Sequence, residues 1–460
     1  MANKGVWMLG AALGFGLVAG DRLAAFPLDG SQTVLPAKTE LNEDALVKPR
    51  EAFHSELNRG RKPYLVNLGD IAFNSPNILG GVARQAGMSC GTCHVNGANN
   101  PKFYMPKMSG HPGTFDTTGP LFNPKANNLT FDPVRIPSLR GARFLSPYGH
   151  DGRIASLRDF VHNVIVNEFA GPEPSPAILD AIVVYIQDID FLHNPNLGPG
   201  GRLTALAMDS EKRGEALFFR PFPHNAELSC AGCHIPSAAF VDHRQHDIGS
   251  GGLFKTPTLM NADYNAPYFH DGRFDSYDQV VAYFNHSFDL GLSEADQKDL
   301  VVYLQAVGAG MTPNEYEGFT ATMKELNDFG SALGTAIENR DKEAIALAVD
   351  TIGYELRELT EQYPDHKDTS VSAEGLNERM LARQALKEQV ITLRRIGMAA
   401  VEDRFEDAAE DYNLYRERMK IAVPTALYNS EQWSLFNPKV HDAHYSALSQ
   451  ALASRQQPPQ

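Results

Sequence analysis

The chain reads as mainly α-helical, with two copies of one helical unit in tandem followed by a bundle of longer helices. Three observations predict this. The pentapeptides Cys90-Gly91-Thr92-Cys93-His94 and Cys230-Ala231-Gly232-Cys233-His234 use every cysteine of the 460 residues. Downstream of each lies a second matching block, Ile136-Pro137-Ser138-Leu139-Arg140 through Pro147-Tyr148-Gly149-His150-Asp151-Gly152-Arg153, and Thr256-Pro257-Thr258-Leu259-Met260 through Pro267-Tyr268-Phe269-His270-Asp271-Gly272-Arg273, at a constant offset of 120 residues. A gapless match of this kind marks two copies of one structural unit. The last portion has no cysteine, few glycines and long charged stretches whose apolar residues fall at helical spacing.

Taken in order, the amino end offers Lys4, the apolar run Val6 to Gly20 and polar Asp21-Arg22, so residues 1–20 read as an export signal with small residues ahead of the cleavage point. An uncleaved stretch would be a tether, but fifteen residues of helix reach only about 22 Å against a hydrocarbon core of ~30 Å. The expected location is therefore the periplasm. The first unit spans residues 40–195. Its Asp-Gly turn runs into an amphipathic helix expected over Ile154 to Glu168, then a second from Ala177 to Ile186. The turn formers His193 to Gly201 read as a linker. The second unit, 202–310, repeats the pattern with Phe274 to Phe288 and Ser293 to Leu304. Residues 311–455 form a helical extension, with segments Tyr316 to Asn339, Lys342 to Tyr363 and Ala373 to Ala422. The plain expectation is a bundle packed on itself, and the functional one a docking or dimerisation module, which would make the protein a homodimer. The tail Gln456 to Gln460 is expected to be disordered.

The doubled Cys-x-x-Cys-His spells the attachment site of c-type haem. Two thiols three residues apart, Cys90 with Cys93 and Cys230 with Cys233, add across the two vinyl groups of one porphyrin. The adjoining His94 or His234 then becomes the proximal iron ligand. Two covalently bound haem c groups are thus expected. Zinc would need distant histidines or two cysteine pairs on one ion, and a thioredoxin-like pair would leave the following histidines unexplained. The formal charge of −15 argues against nucleic acid as a partner and for basic ones, although solubility alone would also account for it.

The order Cys-x-x-Cys-His, Pro-Ser/Thr-Leu, Pro-Tyr-x-His-Asp-Gly-Arg, repeated once over about residues 50 to 310, resembles the dihaem cytochrome c peroxidase family and its MauG-type relatives. The resemblance implies two cytochrome-c-like domains facing each other, an amino-terminal haem that reacts with hydrogen peroxide and a carboxyl-terminal haem that feeds it electrons from a small cytochrome or cupredoxin. It also implies a distal histidine shortly after the first motif, where His111 stands with Met105 and Met108 as competitors, and a peroxidatic glutamate after the Asp-Gly-Arg helix, where Glu168 stands. His150 and His162 are candidates for proton relays, since free imidazole titrates near neutrality, while the recurrence of His150 as His270 gives the plainer reading that both only fix the Asp-Gly turn. The arginine of His-Asp-Gly-Arg is expected on a haem propionate. Family members often hold calcium between the domains, but no acidic cluster assigns its ligands here.

Three departures matter. Where the family supplies a methionine ligand to the second haem, this chain has Phe269, so that iron is five-coordinate or takes Tyr268, Met260 or His270. A tyrosinate would move the chain toward the MauG-type group, which oxidises residues of a protein substrate. The equivalent first-unit residue, Gly149, leaves an open distal side. No tryptophan lies between the haems, since the chain has only Trp7 and Trp433, and Tyr148 is the nearby aromatic. The helical extension has no counterpart in the family. Besides peroxide reduction, the functions in view are MauG-like oxidation of a partner and a non-catalytic dihaem electron carrier.

Overall fold

The computed structural model describes residues 34–41, 51–311, 319–365 and 371–455; the expected signal peptide and tail lie outside them. The chain is mainly helical. Among the described residues, sheet is confined to three antiparallel ribbons of two or three residues per strand. In the first unit the helix Tyr64–Phe73 crosses Pro176–Asp188. The crossing is close because Gly69 has no side chain: a Cβ there would lie 2.0 Å from the Ala181 carbonyl oxygen. The second unit repeats the device. Helix Asp209–Phe219 crosses Glu294–Gly308, and a Cβ on Gly214 would lie 2.1 Å from the Asp299 carbonyl oxygen.

Serine caps fix where the helices of both units begin. Ser156, Ser175, Ser276 and Ser293 each accept a backbone N–H three residues on, a contribution of about 1 kcal/mol apiece. The helix expected from Ile154 therefore starts later, at Leu157. It stays α-helical to Asn163, then widens into a π-turn over Val164–Glu168. Its counterpart Tyr277–Ser287 is α-helical throughout.

The extension comprises helices Phe319–Glu338, Lys342–Glu361, Ala373–Val401, Phe405–Lys420, Ala422–Ser430 and Pro438–Arg455. The long segment expected from Ala373 breaks at Asp403, whose φ is 61°; no glycine or proline announces that break. The extension does not pack only on itself. Thr351 Oγ1 donates to the Ile71 carbonyl at 3.1 Å, Asn77 Nδ2 to Asp350 at 2.7 Å, and Lys324 pairs with Glu56 at 2.6 Å. One apolar core runs through both, including Ile71, Phe73, Ile178, Leu333, Ile352 and Leu393. The second unit has a separate core around Phe218, Phe240, Tyr303 and Val307. No helix of the described residues is long and apolar enough to cross a membrane.

Candidate active site

Each Cys-x-x-Cys segment is a single helical turn with its histidine at the carboxyl end. Ser229 caps the second turn by accepting from Gly232 N, and the first is closed by the Ser89 N–H donating to Thr92 Oγ1 at 3.0 Å. His94 N and His234 N both donate back to the first cysteine of their motif, at 3.0 and 2.9 Å. The His94 imidazole donates from Nδ1 to the Pro137 carbonyl at 2.9 Å, and Pro257 plays the same part toward His234, which also meets the Phe240 carbonyl at 3.2 Å. The proline of each downstream block therefore orients the histidine of its own motif and leaves Nε2 for a metal. Burial holds both imidazoles neutral, His94 down to about 4. It also pushes the Cys90 and Cys230 thiols up, to about 12 and 11, the reverse of an activated redox thiolate.

Beside Cys90, Cys93 and His94 opens a cavity of about 720 Å³, within the range of cofactor pockets. Both units build it: Gly149, His150, Arg153 and Glu168 from the first, Phe254, Lys255, Thr258 and Met260 from the second. Glu168 ends the π-turn and is only 7% exposed. Its Oε1 accepts from Arg153 Nη2 and Asn163 Nδ2, each at 3.1 Å, and Thr117 is a further partner. Burial raises its carboxyl pKa, and Arg153 opposes this without cancelling it. Gly149 has φ 88°, and a Cβ there would lie 2.8 Å from Oδ1 of the exposed Asp151 side chain, which would have to shift.

The second unit differs at the matching places. In sequence, Gly149, Asn163 and Glu168 become Phe269, Tyr283 and Phe288. Phe269 packs on Phe274 and Tyr283 with centroids 4.8 and 5.0 Å apart, and Phe284 on Phe288 at 5.8 Å.

Several expected residues are engaged elsewhere. His111 Nε2 donates to the Asp271 carbonyl at 3.1 Å, on the second unit, and does not line the cavity. Met105 and Met108 are core residues. His162 pairs with Glu173 at 2.8 Å outside the cavity. His150 does line it, but its Nε2 donates to the Arg135 carbonyl at 2.6 Å, and burial with the nearby Arg135 charge lowers its pKa to about 3. This corrects the expectation of an imidazole titrating near neutrality. The Tyr268 hydroxyl donates to the Ala262 carbonyl at 3.1 Å, as Tyr148 does to Ala142 at 3.2 Å. Burial raises the Tyr268 pKa. Cys233, Asp242 and His246 bring their ligand atoms within 4.8 Å of one another, a thiol, a carboxylate and an imidazole rather than the oxygen ligands that calcium takes.

Comparison with known proteins places the chain. The family model for di-haem cytochrome c peroxidase matches residues 209–348. The methylamine utilization protein MauG of Methylorubrum extorquens is 30% identical over 345 residues, which cover 64% of this chain and 93% of that one. The chain belongs to the dihaem cytochrome c peroxidase and MauG family. Hydrazine synthase subunit gamma of Kuenenia stuttgartiensis is 26% identical over 230 residues, 37% of this chain and 63% of that protein. The cytochrome-c peroxidase IdrP1 of Denitromonas iodatirespirans is 36% identical over 67 residues, 18% of its length. A solved Kuenenia stuttgartiensis hydrazine synthase chain aligns at 20% identity with a TM-score of 0.40, covering 59% of this chain and 94% of that one.

Membership implies haem c, and the residues present fit it. Arg135 Nε and Asn265 Oδ1 are buried without a protein partner, and both residues line the cavity with Arg140. Burial lowers each arginine only to about 10, so both remain cations suited to a propionate. The expected propionate partners are engaged otherwise: Arg153 with Asp151 and Glu168, Arg273 with Asp271 and the Ser250 carbonyl. Sequence reading passed over Arg135 and Arg140. The signal available was position: Arg135 and Lys255 both stand two residues before the repeated proline.

Proposed function

We propose that the cavity beside His94 is where hydrogen peroxide is reduced to water, in an exported protein, with electrons delivered through the second haem site by a small basic redox protein. The observation that carries this reading is the asymmetry between the units: the first offers an open glycine and a buried carboxylate, where the second has phenylalanine at both places. A chain that only relayed electrons would have no use for that difference.

Haem c bound by Cys90 and Cys93 would supply the iron that binds the peroxide and passes it two electrons. The chain's own residues supply the proton chemistry. Gly149 keeps a side chain out of the space the oxidant enters. Glu168 takes the proton from the inner peroxide oxygen and returns it to the outer one, so that the outer oxygen leaves as water when the O–O bond breaks. Arg153 and Asn163 fix the carboxylate at Oε1, with Thr117 as a third partner. Arg153 keeps the carboxylate aimed, and its charge favours the ionised form that must accept the proton.

The similarity across 93% of MauG supports a second reading, in which the same site withdraws electrons from residues of a partner protein. One experiment separates the two. The purified dihaem protein is mixed with peroxide and a reduced cytochrome or cupredoxin, and donor oxidation is followed optically. Sustained turnover supports the peroxidase. A peroxide-induced spectral change without turnover, relaxed by adding a protein substrate, supports the MauG-like reading. No spectral response to peroxide, in the ferric or half-reduced state, overturns both.

A further inference from the structure

The loop that carries Gly149 is held by the other unit. Lys255 Nζ donates to the carbonyls of Leu145 and Pro147, at 2.5 and 2.6 Å, and Lys255 N to that of His150 at 2.9 Å. His243 Nδ1 reaches the Ser146 carbonyl at 2.6 Å, and Gln245 Nε2 donates to that of Asp151. The matching loop of the second unit is held in return. Arg135 Nη1 donates to the Asn265 carbonyl at 3.1 Å and Arg135 N to that of His270 at 2.7 Å, while Asn99 and His111 serve Ala266 and Asp271 at 2.8 and 3.1 Å. Arg135 and Lys255 are 120 residues apart, the repeat offset, and each lies on a short ribbon just before the proline that orients its own unit's histidine.

We propose that Arg135 and Lys255 form a reciprocal clasp in which each unit positions the open-side loop of the other's haem site, Lys255 being the positioning residue for the first cavity. The physical reason is that a loop with a left-handed residue at its centre makes few bonds of its own: Tyr148 N and Ile154 N close its ends and Gly152 N donates back to the Gly149 carbonyl. Its remaining carbonyls need donors, and the half-buried ammonium of Lys255 supplies strong ones. The tripeptide Lys255-Thr256-Pro257 thus touches the far side of the first site through its lysine and the near side of the second through its proline. A shift in one site has a covalent route of three residues to the other.

The inference rests on the reading of the first cavity as a haem site, and its test does not require peroxide turnover. In the dihaem protein, Lys255→Met is compared with Lys255→Arg, and hydrogen exchange of residues 145–154 is measured beside cyanide binding to the ferric iron of the first site. Lys255→Met should speed exchange in that loop about tenfold and change cyanide affinity by a similar factor, while Lys255→Arg keeps both near the parent values. Arg135→Met should speed exchange over residues 265–274, and because Arg135 also lines the first cavity it is read by that exchange alone and not by cyanide. Gln245→Ala, an exposed change that removes one donor, should move the first loop in the same direction by less, and it serves if Lys255→Met does not fold. Exchange altered only in the substituted residue's own unit, or unchanged exchange with unchanged cyanide affinity, overturns the clasp. Should the parent protein ignore peroxide while these shifts appear, the function proposed above fails and the clasp stands.

Discussion

At the scale of residues, Glu168 and Gly149 make the site. Burial, opposed by Arg153, raises the Glu168 carboxyl above its ordinary value. A base must be ionised to accept a proton, so the rate of peroxide cleavage should be full above that pKa. It should fall as pH drops through it, at a higher pH than for an exposed glutamate. Glu168→Gln should remove this acid limb and slow cleavage roughly 10²–10⁴-fold, with both haems still attached; a stopped-flow pH series checks both. Gly149→Ala must place a Cβ 2.8 Å from Asp151 Oδ1 on a backbone with φ 88°. The expected cost is about 1–2 kcal/mol, visible as a lower Tm, together with slower cyanide entry. The residues that attach haem were legible because their spacing is set by porphyrin chemistry. Pro137, Arg135 and Lys255 were not, because a carbonyl and a cation acquire their roles only once the chain has folded.

At the scale of elements, Glu168 closes the π-turn Val164–Glu168. Such a turn takes one extra residue into the arc of a helix, so deleting Val166 should restore α-geometry and leave Glu168 on the same face. Peroxide cleavage should then stay near the parent rate, with circular dichroism and haem content unchanged, whereas an alanine inserted after Val166 should turn Glu168 away by about 100° and slow cleavage as Glu168→Gln does; a deletion variant as slow as Glu168→Gln would show that the face alone does not place the carboxylate. The sequence pattern gave the helix but not its widening, since Val164-Ile165-Val166 suits either winding. The serine caps were equally readable in principle, and they explain why the helix begins at Leu157 rather than Ile154.

At the scale of the whole molecule, the extension belongs energetically to the first unit. Ile352, fully buried in the shared core, should cost about 2–5 kcal/mol when changed to Ala. Urea unfolding followed at the first haem should register that loss although the substitution lies far along the chain. Helical periodicity showed that these helices exist. It could not show their partner, because an apolar stripe fits any complementary face and the surface of Tyr64–Phe73 that receives them reads in sequence as ordinary core. The net charge of −15 predicts that the reaction with a basic donor slows as salt rises through a Debye length of about 10 Å at 0.1 M, which a kinetic series in ionic strength would measure. The crossed bonds between the units also bear on biosynthesis. When the ribosome has delivered the first attachment motif and its loop, the donors of Lys255, His243 and Gln245 have yet to emerge. The first centre therefore acquires its finished geometry only after the second half of the polypeptide has been translated, whatever the order in which the two porphyrins are ligated.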